Sequence, residues 1–215
     1  LTATTRDKLL EEARFVADLK PDMIEVRADY WDFIEDTNAS VAMLRDINKV
    51  FGDTPILLTV RIKAERGYKD VSDTAKFNFY KAAVKEKLAD FIDMELAYGA
   101  EKIKAFKKEL GDAMLSIYGY ENDTLVASIV ISSSGKIAVN DKTYHMKDAE
   151  QLIDQIVKIM EREINAGGDV AKIVVKPNKE EDVLTFLNGT LAFRRAHPEY
   201  PIIASGSGDT GRITR

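Results

Sequence analysis

The 215-residue chain contains no cysteine, which excludes a disulfide framework, a cysteine-ligated zinc site and a thiol nucleophile. Histidine is almost as scarce: His145 and His197 are the two present. No histidine pair stands at helical spacing and the acidic residues are scattered, so no metal site is expected. Basic tails and tracts are missing, and the formal net charge is −5. Neither nucleic acid nor a membrane surface is therefore an expected partner. Apolar runs stop short of the roughly 18 residues that a membrane span needs, and no signal peptide is visible. The lack of cysteine fits a reducing, cytoplasmic setting. What is present is a 45% hydrophobic fraction, enough for one large α/β domain or two small ones.

Strand-like and helix-like segments alternate with short breaks. Helix periodicity covers Thr5–Leu19, Ser40–Val50, Thr74–Lys87, Ala100–Leu110, Ala149–Asn165 and Lys179–Ala196. Ser40, Ser72 or Asp73, and Asn178 sit where N-caps are expected. Between them lie Met23–Tyr30, Pro55–Ile62, Phe91–Leu96, Val170–Val175 and Pro201–Ser205, short and rich in Ile, Val and Leu. Such repetition predicts a parallel sheet, closed as a barrel or doubly wound. Leu1–Thr5 reads as a strand entered partway. Around a Ser/Gly turn near 125–142 the chain reads as an inserted β-hairpin. Leu125–Ser132 and Ile137–Thr143 are both candidates for the fifth strand of the α/β series. No linker marks a domain boundary, so 1–215 is read as a single domain.

Lys172 stands inside the β-branched run Val170–Val175. An ammonium buried there is costly unless it is paired, neutralised or used. A neutral amine is the nucleophile that attacks a ketone to give a Schiff base. The plain alternative is a lysine that snorkels from the strand end into water. Charged residues also gather on other strands. Glu25, Arg27 and Asp29 alternate with apolar residues and share one face. Arg61 ends an apolar strand with Glu65 four residues on, and Asp93 and Glu95 share a face. Charged groups at the C-terminal ends of parallel strands are where α/β enzymes place their chemistry. Several arginines beside carboxylates suit a small, anionic, hydroxyl-rich molecule. They fit structural ion-pair layers equally. His197 lies in a polar, proline-flanked segment and reads as a surface residue. His145, in a loop before a helix, is the plausible imidazole acid/base.

Six segments taken in order carry a resemblance. They are Glu25-Val-Arg27-Ala-Asp29-Tyr30, Leu58-Thr-Val-Arg61-Ile-Lys-Ala-Glu65-Arg-Gly67 and Asp90-Phe-Ile-Asp-Met-Glu95-Leu96. Ala171-Lys172-Ile-Val-Val-Lys-Pro177, Asp182-Val-Leu-Thr-Phe-Leu187 and Gly211-Arg212-Ile-Thr-Arg215 follow. Together they resemble the type I 3-dehydroquinate dehydratases, the Schiff-base-forming lyases of the shikimate pathway. Most of the chain outside roughly 112–142 takes part. The resemblance implies a TIM-type (β/α)8 barrel with incomplete first and last strands, a homodimer, and no cofactor. It implies that Lys172 forms the imine with the ketone of a carboxylated substrate. By the same resemblance His145 moves the proton, Glu65 orients His145, and Arg215 clamps the carboxylate. Glu25, Arg27 and Arg61 would hold the ring hydroxyls and the polar shell.

The chain departs from the family pattern in places. It stops at Arg215, where the family continues through an eighth strand, and the stretch before His145 is longer. The family's His-Asp-Phe reads His145-Met146-Lys147, and Gly206-Ser207 stands where Ser-Met is common. Two other functions compete. One is another Schiff-base barrel of the aldolase type; the other is a catalytically silent relative that binds a metabolite or a partner protein.

Overall fold

The computed structural model describes residues 1–111, 114–118, 130–131, 136–139, 142–145, 149–177 and 179–214, with backbone only between 114 and 149 and at 151 and 152. The architecture is α/β, and the described residues form two compact units.

The first unit opens with α1 (Arg6–Asp18), β1 (Ile24–Arg27), α2 (Thr37–Phe51), β2 (Ile56–Thr59) and α3 (Asp73–Lys85). Its strands are parallel. β1 pairs with β2 from Ile24 opposite Ile56 to Arg27 opposite Thr59. β2 in turn pairs with β3 (Phe91–Glu95), Thr59 lying opposite Asp93. β2 is buried along its whole length, as a parallel strand covered on both faces must be. Leu1 donates its N–H to the Glu25 carbonyl at 2.6 Å and accepts from the Arg27 N–H at 3.0 Å. That is the bonding of a parallel neighbour beside β1. Ser72 caps α3 by accepting the Ala75 N–H at 3.1 Å. The cap of α2 is Asp36, which accepts the Ala39 N–H at 3.0 Å. Ser40, the expected cap, is instead buried inside that helix.

The second unit contains α5 (Ala149–Asn165), β8 (Val170–Val175), α6 (Glu180–Ala196) and β9 (Ile202–Gly206). β8 runs parallel to β9, Lys172 opposite Ile203. On its other side β8 pairs with β4 (Met114–Tyr118), Ile117 lying opposite Ala171. Neither expected candidate for the fifth strand takes that place. Val130–Ile131 (β5), Lys136–Val139 (β6) and Lys142–His145 (β7) form a separate antiparallel sheet in the order β5-β6-β7. The correction has a topological cause. Met114–Tyr118 follows α4 (Ala100–Leu110) after a short link, as a parallel crossover needs, whereas the later pieces are close enough in sequence to turn back on themselves. The expected hairpin is thus part of a three-stranded sheet, and His145 ends a strand rather than lying in a loop. The expected cap Asn178 lies outside the described residues. Lys179 stands at the N-cap of α6, its N–H held by the Asp182 carboxylate at 3.1 Å.

Ile156, Ile159 and Met160 of α5, Phe186 and Phe193 of α6, and Ala171, Ile173 and Val175 of β8 form one apolar cluster. Strand alternation turns Lys172 to the opposite face from those three β8 residues. Gly189 lets the helices meet, since a Cβ there would press into the Ile156 side chain.

Candidate active site

In the first unit the expected polar residues at the strand ends converge on each other. Glu25 accepts the Thr59 hydroxyl at 2.7 Å, a bond between neighbouring parallel strands. β1 ends at Arg27, and residues 28–30 make a turn of 3-10 helix. Asp29 therefore leaves the strand face that alternation assigns it. It bends back, and both its oxygens accept from Arg27 at 2.8 Å. The same carboxylate accepts the backbone N–H groups of Tyr68 at 2.9 Å and Arg61 at 3.3 Å. It is fully buried and ties three segments together. Burial works against the Arg27 charge, but the hydrogen bonds and charge of Asp29 outweigh it and raise the Arg27 pKa above the usual arginine value.

Arg61 emerges past the end of β2 and is 5% exposed. One guanidinium nitrogen donates to Asp93 at 2.7 Å, and the other lies 3.7 Å from Glu65, itself 2% exposed. A planar fork between two carboxylates fixes all three groups. Tyr80 of α3 fastens the strand ends: its hydroxyl accepts the Val60 N–H at 2.7 Å and donates to the Asp93 carbonyl at 3.0 Å. The turn after Glu65 needs Gly67, because a Cβ there would run into the Arg61 and Ile62 carbonyls. Arg66 between them sits in the left-handed region at φ 65°, a conformation whose cost the surrounding bonds must hold.

Lys172 lies in the second unit and is 5% exposed. So little exposure does not fit a lysine that snorkels into bulk water. Its backbone N–H donates to the Glu163 carboxylate of α5 at 2.9 Å. For His145 the backbone alone is described, paired antiparallel with Lys136. The His145 side chain and the whole of Arg215 lie outside the described residues. His197, expected at the surface, is only partly exposed and its ring lies 3.0 Å from the Glu161 carboxylate. Among the described residues no group of three or more His, Asp or Glu could hold a metal ion, and no helix is long and apolar enough to cross a membrane.

Glu25, Arg27, Arg61 and Glu65 thus fall in one unit, joined by Asp29 and Asp93, which the sequence marks as strand charges without a site role, and by Thr59. Thr59 carried a readable signal, a hydroxyl at the end of an otherwise apolar strand. Asp93 carried another, an acid flanked by Ile92 and Met94. Glu163 had the clearest: it falls on the stripe Ile156, Ile159, Met160, where helical period places an apolar residue.

A family model, type I 3-dehydroquinase, matches residues 1–215. The 3-dehydroquinate dehydratase of Bacillus licheniformis is 31% identical over 208 residues, covering 97% of this chain and 73% of the relative. That of Bacillus velezensis is 30% identical over 216 residues, covering 100% of this chain and 76% of the relative. The crystal structure of 3-dehydroquinate dehydratase from Geobacillus kaustophilus superposes with a TM-score of 0.75 at 25% identity, covering 100% of this chain and 74% of that one. On sequence and fold alike, the chain belongs to the type I 3-dehydroquinases.

Proposed function

We propose that this protein dehydrates 3-dehydroquinate to 3-dehydroshikimate in the shikimate pathway through an imine on Lys172. The observation that carries the reading is the burial of an amine on β8, on the face opposite the α5 and α6 cluster. The amine adds to the substrate ketone and water leaves, giving a protonated imine. That iminium draws electrons from the neighbouring C–H bond, and His145 accepts the proton. His145 then returns a proton to the β-hydroxyl, which departs as water while the double bond forms. Hydrolysis of the imine frees the conjugated ketone and restores the amine.

Glu65 orients His145, Arg215 clamps the carboxylate, and Glu25, Arg27 and Arg61 hold the ring hydroxyls and the polar shell. Support for the last three roles comes from the fixed partners of each group, which leave the polar shell little freedom to rearrange. In this reading residues 1–215 belong to one (β/α)8 barrel domain that works as a cytoplasmic homodimer without a cofactor. The test is to mix protein with 3-dehydroquinate and follow enone absorbance. A rise with time is expected. A flat trace at high protein concentration would retire the reading.

A further inference from the structure

Ala171 sends its backbone N–H to the Pro201 carbonyl beside β9 at 3.1 Å. Successive N–H groups of a strand point to opposite sides, so that of Lys172 points toward β4. The β4 register is Ser116 with Val170 and Ile117 with Ala171. At Lys172 the acceptor is a side chain instead, the Glu163 carboxylate at 2.9 Å. Glu163 has no exposed surface. It ends the buried stripe of α5, where an apolar residue would cost nothing to bury and a carboxylate costs several kcal/mol unless it is well bonded. The helix stops just beyond it: Gly168 donates to the Glu163 carbonyl at 3.1 Å and Gly167 to the Ile164 carbonyl at 3.0 Å. The chain thus turns from α5 into β8 around this one residue, and the carboxylate closes the turn on Lys172.

We infer that Glu163 is a positioning residue for the reaction: its Oε2, by holding the Lys172 N–H, sets where β8 carries the reactive amine. The inference rests on the imine chemistry proposed above. Glu163 belongs to the helix that packs on one face of β8, whereas alternation sends the Lys172 side chain to the other. The contribution assigned to it is an acceptor at a fixed place. A displacement of about 1 Å in a reacting group can cost up to about a hundredfold in rate. Glu163→Gln keeps an acceptor oxygen at the same reach and removes the charge. Glu163→Asp keeps the charge and withdraws the acceptor by one methylene.

The experiment measures, for wild type and both variants, the rate of imine formation with 3-dehydroquinate, by borohydride quench and intact-mass detection, together with kcat and KM. Amide hydrogen exchange at Lys172 is followed in parallel. Glu163→Gln should stay within about threefold of wild type, with its pH–rate profile unmoved. Glu163→Asp should form the imine at least about tenfold more slowly, lower kcat more than it changes KM, and lose amide protection at Lys172. Wild-type rates per folded molecule in Glu163→Asp, or equal slowing in both variants, would overturn the inference while leaving the imine chemistry standing. If wild type itself yields no adduct, the proposed function fails first and this role falls with it.

Discussion

The two units of the molecule set their buried charged residues in different surroundings. In the first, charges at the strand ends are paired with each other: Arg27 with Asp29, and Arg61 with Asp93 and Glu65. In the second, β8 is Val-Ala-Lys-Ile-Val-Val, one amine in an otherwise apolar strand beside an apolar cluster. A paired network mainly fixes shape, since removing one member strands the others. A lysine set in a strand of apolar residues offers an amine that covalent chemistry can use. Substitutions in the paired network of the first unit should therefore cost stability together with activity, and at Lys172 chemistry first.

Five substitutions sharpen or break that contrast. Lys172→Met should abolish both turnover and the reducible adduct, because a thioether of similar length cannot add to a ketone. Turnover that survives would move the chemistry to another amine, Lys176 being the nearest in sequence. His145→Ala should slow turnover by about 10²–10⁴-fold while the imine still traps, the range for a lost general acid/base; unchanged turnover removes His145 from the mechanism. Arg61→Ala leaves Asp93 and Glu65 as buried carboxylates and should cost about 3–5 kcal/mol in denaturant unfolding. A loss below 1 kcal/mol would mean that the first unit is not held as described.

Tyr80→Phe deletes the hydroxyl that bridges Val60 and Asp93, with an expected loss of about 1–3 kcal/mol. The mildest is Ser72→Ala, about 1 kcal/mol from the cap of α3. Ser72 also donates its hydroxyl and N–H to Glu35, both at 2.7 Å, which lowers the Glu35 pKa below the usual carboxylate value. A lowered folded value gives stability that is present above about pH 4 and is lost as pH falls through it. The gap in Tm between wild type and Ser72→Ala should accordingly narrow on acidification. A gap that widens would show that the Glu35 contact is not formed.

Elements with strong local patterns were legible in the sequence. Ala100–Leu110, Ala149–Asn165 and Val170–Val175 have the boundaries that periodicity and β-branching predict. Ser72 was readable as a cap because its hydroxyl precedes a helix with no earlier competitor. Ser40 was misread because Asp36 offers a carboxylate one turn earlier, and the helix starts at the stronger acceptor. Met114–Tyr118 escaped notice because its strand character comes from pairing with β8, a contact far along the chain. The site divides along the same line. Lys172 stands out as a charge inside an apolar strand, Arg61 as a charge that ends one, and Glu65 by its place four residues after Arg61. Asp29 is legible as one of the β1 charges, but its role is not, since that follows from a 3-10 turn that breaks the alternation of the strand. Glu163 was visible as a break in the α5 stripe, but its partner is a backbone N–H, and sequence period does not reveal which backbone group a side chain meets.

The central claim is that the amine of Lys172 bonds to the substrate. The direct test is borohydride reduction of the wild-type protein with 3-dehydroquinate, followed by proteolysis and peptide mass mapping. The account predicts one stable adduct, on Lys172. Reduction that leaves every lysine unmodified, or that marks another lysine and spares Lys172, would contradict it.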